Sequence, residues 1–192
     1  MDIFSHALWT GLSSRAVNLK IKKPLSVRMA AFWGIFPDLL AFTPLFFWVV
    51  FNLISGSFAW NHIPRPSQME PFSPDTPLIF RITSVFYNIS HSIIIFLLVA
   101  AVLLILNRFI FSDSLKFRRP PWEMAGWLFH IIIDIPTHTY EFYPTPFLWP
   151  VSGWKFSGFH WDAPWFIALN YSAIIIFFIV LRKKSARNKK VD

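Results

Sequence analysis

In the stretch HIIIDIPTH (130–138), two histidines and an aspartate recur at four-residue intervals inside an apolar run. Four residues is just over one helical turn, so His130 and Asp134 share a face and their side chains can meet at a single ion. His138 stands another turn along that face, within reach of a second ion or of a substrate, beyond Pro136, whose ring bends the end of the helix. Imidazole and carboxylate suit Zn²⁺ or Mn²⁺ without any thiolate. With no cysteine in the chain, thiolate ligands and disulfides are excluded. The pair has company in DIFSH (2–6), GIFPD (34–38) and ISHS (89–92). In GIFPD, Gly34 and Pro37 are expected to break the helix just before Asp38.

The elements that must carry these residues are membrane helices. Of the 192 residues, 55% are hydrophobic and only 15% charged, against about 25% charged in a soluble domain. The mean hydropathy is +0.48. The formal net charge of +8 is gathered in KIKK (20–23) with Arg28, KFRR (116–119) with Arg108, and RKKSARNKK (182–190). Each cluster abuts an apolar run, the pattern of membrane flanks and not of a nucleic-acid-binding face. MDIFSHALWT, with an acid at position 2 and no basic region, is unlike a cleavable signal peptide.

Four apolar segments, 29–55, 84–107, 121–140 and 163–181, are long enough to cross at about twenty residues per span. The expected fold is therefore all-α: a single polytopic membrane domain over 1–192, with four transmembrane helices and a further N-terminal helix. The basic clusters alternate with two nearly charge-balanced connections, 56–83 and 141–162. The positive-inside rule puts the clusters and the C-terminus in the cytoplasm and those connections outside, as in a multi-pass inner-membrane protein.

The first nineteen residues fit either a surface-lying amphipathic helix or one inserted into the bundle. Depth favours insertion. Counted from the nearest basic residue at 1.5 Å per residue, Asp38 lies about 15 Å deep, His130 about 16 Å and Asp134 about 22 Å. His91, His138 and an inserted His6 fall at roughly 25, 28 and 21 Å. All belong to one slab between mid-membrane and the outer face. Each aspartate in such a position costs roughly 2.5–3.5 kcal/mol. No Lys or Arg falls within the four spans away from their flanks, leaving Arg15 as the sole cationic side chain to compensate them. A bound divalent cation neutralises both carboxylates and uses the histidines as well.

MDIFSHALW, AAFWGIFPDLL, the His-Ser pair at 91–92, HIIIDIPTH and PFLWPVSGWKFSG (146–158) come in an order that resembles the YdjM-like family of inner-membrane, metal-dependent hydrolases. That family has a basic, glycine-containing stretch before the His-Ser pair, where this chain reads VFYNIS (85–90). The order His, Asp, His, then His-x-x-x-Asp is also similar to zinc-dependent phospholipase C and related single-strand nucleases. The likeness implies His6, Asp38, His91, His130 and Asp134 as ligands of one or two ions, with Asp2 beside them. It further implies Asp38, Asp134 or His138 as acid or base in hydrolysis of a lipid or lipid-linked phosphoester. The later His-x-x-x-Glu pair of those enzymes is missing here, which limits the site to two ions.

The competing class is a non-catalytic membrane metal-binding or carrier protein. A carrier needs polar groups along a path to both faces, whereas Ile93 to Leu106 beneath His91 is wholly apolar. His62 reads as a solvated loop residue, Asp162 as a cap of the last helix with His160 beside it, and Trp60, Trp149, Trp154, Trp161 and Trp165 as an interfacial belt.

Overall fold

The computed structural model describes residues 1–57, 76–109, 122–141 and 143–188. His62, Trp60 and the KFRR cluster lie outside them. Among the described residues there are six α-helices and no strand. In chain order they are α1 (Ile3–Asn18), α2 (Val27–Ile54), α3 (Leu78–Ser90), α4 (Ile93–Phe109), α5 (Ala125–Thr137) and α6 (Pro164–Asn188). Helices α2 and α6 are each long and apolar enough to cross a membrane, and α3 with α4 makes a third span if that bent pair crosses as one.

The expected span at 84–107 is thus two helices, bent by 62° at residues 91–92. Ser92 starts α4 as its cap: its hydroxyl accepts from the Ile95 amide at 3.2 Å and donates to the Trp149 carbonyl. The Ile93 amide, orphaned at the new helix start, donates to the Phe147 carbonyl at 3.0 Å. The break falls in the polar run Asn88, Ser90, His91 and Ser92, within a segment otherwise apolar enough to read as one span. The expected span at 121–140 is also shorter. Helix α5 has 13 residues, too few for the roughly 20 that a crossing needs.

Helix α2, in contrast, continues through Pro37 and Pro44 where a break was expected. Pro37 brings no N–H to the helix and crowds the carbonyls one turn earlier. The neighbouring carbonyl, on Gly34, accepts a hydrogen bond from His130 on α5 at 2.7 Å. Backbone groups freed by a proline at membrane depth are tolerated when a neighbouring helix satisfies them.

Helix α1 packs within the bundle, against α2, α5 and α6. Its Asp2 caps it by accepting from the Ser5 amide at 3.0 Å. Leu12 of α1 packs with Ile174 and Leu181 of α6, and Trp9 donates to Asn170 at 2.8 Å. Arg15 lies over the Phe178 ring, 5.9 Å from its centre, and away from the buried acids. At the same end, Glu123 accepts from the Ser26 amide and holds the start of α2 to the start of α5.

Close approach of helices depends on two glycines. A Cβ on Gly34 would stand 2.2 Å from the Thr10 hydroxyl of α1, and one on Gly126 would stand 2.5 Å from the Ala30 carbonyl of α2. Small residues let helices meet in lipid, where the hydrophobic effect gives no drive between them. Around these contacts the outer surfaces stay apolar, with Phe46, Phe47, Phe51 and Leu97 exposed, as suits surfaces facing acyl chains.

Gly126→Ala forces α5 off α2 and is expected to cost about 1–3 kcal/mol. In a chain of this size that lowers the Tm in detergent by roughly 2–12 °C. Gly153→Ala, which meets open space, is expected to leave the Tm unchanged. Equal Tm values for the two variants would contradict the packing described.

Candidate metal centre

Three helices deliver four ligand atoms to a common point. Asp38 comes from α2, His91 from the end of α3, and His130 and Asp134 from one face of α5. Their donor atoms all lie within 4.8 Å of one another, and the three residues other than Asp38 are buried. Four of the six residues that depth counting put in one slab meet here. A buried group of this composition could hold a metal ion.

Main-chain carbonyls aim the imidazoles. His130 turns Nδ1 to the Gly34 carbonyl at 2.7 Å, and His91 turns Nδ1 to the Tyr87 carbonyl at 3.2 Å, with the Ser90 hydroxyl 2.9 Å away. His138 turns Nδ1 to the Tyr143 carbonyl at 3.0 Å. A carbonyl can only accept, so Nδ1 carries the proton in each ring and the Nε2 lone pair faces the cluster. In the neutral rings the Nε2 atoms of His91 and His130 stand 3.1 Å apart with no hydrogen between them. Two lone pairs at that distance repel unless a cation lies between, and this is the fit that a metal ion supplies.

Asp134 joins two half-sites. Its Oδ2 lies 3.1 Å from His130 Nε2 and 3.6 Å from His91 Nε2. Its Oδ1 lies 2.9 Å from His6 Nε2, 3.5 Å from His138 Nε2 and 2.6 Å from the Met1 amino nitrogen. That nitrogen is also 2.8 Å from His138 Nε2. Asp38 Oδ1 faces His91 and His130 at 3.5 and 3.7 Å. Despite these approaches, Asp134 Oδ2 and both nitrogens of His6 are buried without an aligned hydrogen bond. Burying unpaired polar atoms is costly, and an ion at the cluster would engage Oδ2 directly.

His6 stacks on the His130 ring, with centroids 3.6 Å apart, beside the four-residue group and not within it. Asp2 is also outside that group; its carboxylate caps α1 and accepts from Ser5 and Tyr171. Asp162 does not cap α6, because the helix begins at Pro164 and leaves Ala163 in the capping position. Proline favours the first helical turn, which fixes that start. His160 lies 3.4 Å from the Glu141 carboxylate, at the protein surface.

Sequence reasoning did not find Tyr87 or Tyr143. The Tyr87 ring stacks on His91, with centroids 3.8 Å apart, and its hydroxyl donates to the Tyr143 carbonyl that also holds His138. Tyr87 lies one helical turn before His91, so a helical reading of VFYNIS would have placed it on the same face. Tyr143, at a positive φ of 43°, left no signal of that kind. The chain matches no family model, no curated protein and no solved structure.

Protein purified gently in detergent and dialysed against Zn²⁺ or Mn²⁺ is expected to retain close to one equivalent. Asp134→Ala and His130→Ala are expected to abolish that retention, and His62→Ala to leave it intact, by elemental analysis of folded protein. Wild-type protein that neither carries nor rebinds metal would dismiss the site.

Proposed function

We propose that the protein is a membrane-bound, metal-dependent hydrolase acting on a phosphoester of a lipid or lipid-linked substrate. The observation that carries the reading is the pair of facing Nε2 atoms between two carboxylates, with Asp38 at the edge of a cavity. The Asp38 side chain keeps 14% exposure while that of Asp134 keeps 1%. The cluster therefore has one open side, as a catalytic site needs and a closed structural site does not. The resemblance to the YdjM-like family and, more distantly, to zinc-dependent phospholipase C supports the same reading.

A divalent ion at the cluster would lower the pKa of a water and offset charge on a phosphoryl oxygen. His91, His130 and Asp134 would hold it, their directions set by the carbonyl and helix contacts described above. Asp38, on the open side, takes the proton as the water oxygen attacks phosphorus. The same proton then passes from Asp38 to the alcohol oxygen as its bond to phosphorus breaks, with His138 Nε2 on the other side of Asp134. The sum is one phosphodiester and one water giving a phosphomonoester and an alcohol. The surrounding apolar helices keep bulk water from the carboxylates and so strengthen each charge interaction.

The ends of α1 and α6 and the start of α2, which carry the basic residues, lie together at one end of the bundle. That supports a cytoplasmic position for them, and with it a site opening toward the extracytoplasmic half. An export-dependent reporter is expected to be active when fused after Ser57 and inactive after Asp192. The reverse pattern would invert the orientation.

Asp38→Ala and His91→Ala are each expected to lower hydrolysis of a phosphodiester lipid by about 10²–10⁴-fold, and His62→Ala to leave it unchanged. Each variant is to be compared as monodisperse protein in detergent, since loss of one member of a buried charge cluster also destabilises. Undiminished activity in folded Asp38→Ala would remove that residue from the mechanism. A metal-loaded wild type inactive on every phosphoester would leave the non-catalytic reading in its place.

A further inference from the structure

Two cavities meet at His138 and Trp161, beside the cluster, and their walls differ in chemistry. The larger, about 580 Å³, runs between α1 and α2, with Asp38 and His138 at its inner end and Phe4, Phe42 and Phe46 along it. Its outer rim faces the surroundings: Phe4 is 72% and Phe46 65% exposed. Since α2 is long and apolar enough to cross a membrane, that rim opens toward acyl chains. The second cavity, about 270 Å³, is lined by Thr137, Thr139, Glu141, His160 and Asp162. Glu141 and Asp162 keep 78% and 66% of their side chains exposed, so this cavity opens to water. His138 and Trp161 line both.

We infer that the substrate is a long-chain amphiphile. Its hydrocarbon tail lies in the α1–α2 groove, and its polar headgroup points into the cleft at Glu141, His160 and Asp162. This rests on the hydrolase reading above and specifies the molecule it acts on. A substrate spanning the two cavities passes between Asp38 and His138, which places the bond to be cleaved at the junction of head and tail. Carboxylates in the cleft favour a headgroup that donates hydrogen bonds or carries positive charge, such as an amine. After cleavage the apolar product leaves sideways into the bilayer and the headgroup leaves into water. Neither has to cross the environment that rejects it.

Thr43 lines the groove on an exposed face of α2 and makes no contact with the cluster, so it can be enlarged to block the tail. The test compares a long-chain glycerophosphoethanolamine in mixed micelles with water-soluble bis(4-nitrophenyl) phosphate, using metal-loaded wild type and Thr43→Trp. The expected result is a fall of about tenfold or more in kcat/KM for the lipid, with the soluble diester changed by less than about twofold. Thr43→Leu gives a milder block should the tryptophan impair folding. Equal effects on both substrates, or none on either, would overturn the groove assignment while leaving the hydrolase reading intact. If wild type cleaves neither substrate, the hydrolase reading fails, and binding still decides the groove. Hexadecyl phosphonate should then bind at least about tenfold more tightly than butyl phosphonate, and Thr43→Trp should erase the difference. Equal binding of the two phosphonates would refute the groove.

Discussion

A carboxylate shut away from water must find its compensation within the protein, and Asp134 is such a group. Its two oxygens are met from α1, from the end of α3, from α5 itself and from the segment after α5. No single neighbouring helix could satisfy it. Removing one partner from a buried charged cluster leaves the others uncompensated, at a cost of several kcal/mol. The helices are therefore held to a common geometry by an electrostatic requirement as well as by packing.

That requirement explains features that otherwise look like defects. The bend at His91 lets an imidazole leave the helical register and point into the bundle while Ser92 restarts the chain as α4. Beside the proline in α2, the Gly34 carbonyl accepts from His130. The early end of α5 turns His138 back toward Asp134, where the Gly158 amide donates to the His138 carbonyl at 2.8 Å. In each case an interruption of regular backbone gives a polar group a direction. In lipid, such interruptions are permitted only where protein or a cavity covers them.

The residues of the cluster were legible in the sequence because their types are expensive in apolar segments, and their shared depth followed from the rise per residue alone. Three things were not legible. The bend at 91–92 was hidden because the long apolar run after it gave the whole segment the length of a span, although Asn88, Ser90, His91 and Ser92 marked the place. The expected span at 121–140 merged α5 with the 3-10 turn at Trp122–Met124 and the chain after Thr137, whose aromatic residues Trp122 and Tyr140 extended the apolar run. Helix α2 runs on through Pro37, and its Gly34 carbonyl meets His130, ninety-six residues away, a contact that no local rule at Pro37 could have revealed. Asp2 shows the converse case: its spacing from His6 was right for a shared ligand role, yet capping α1 uses its carboxylate.

The imidazoles owe their orientation to carbonyls of Gly34, Tyr87 and Tyr143. A side chain that orients a ligand can be deleted by one substitution; a carbonyl cannot. This outer layer is thus present whatever residues stand at 34, 87 and 143, provided the backbone keeps its path. Variation can reach it only by moving one helix against another. The affinity of the centre for an ion is then a property of helix spacing, tuned by the bulk of residues that never approach the ion.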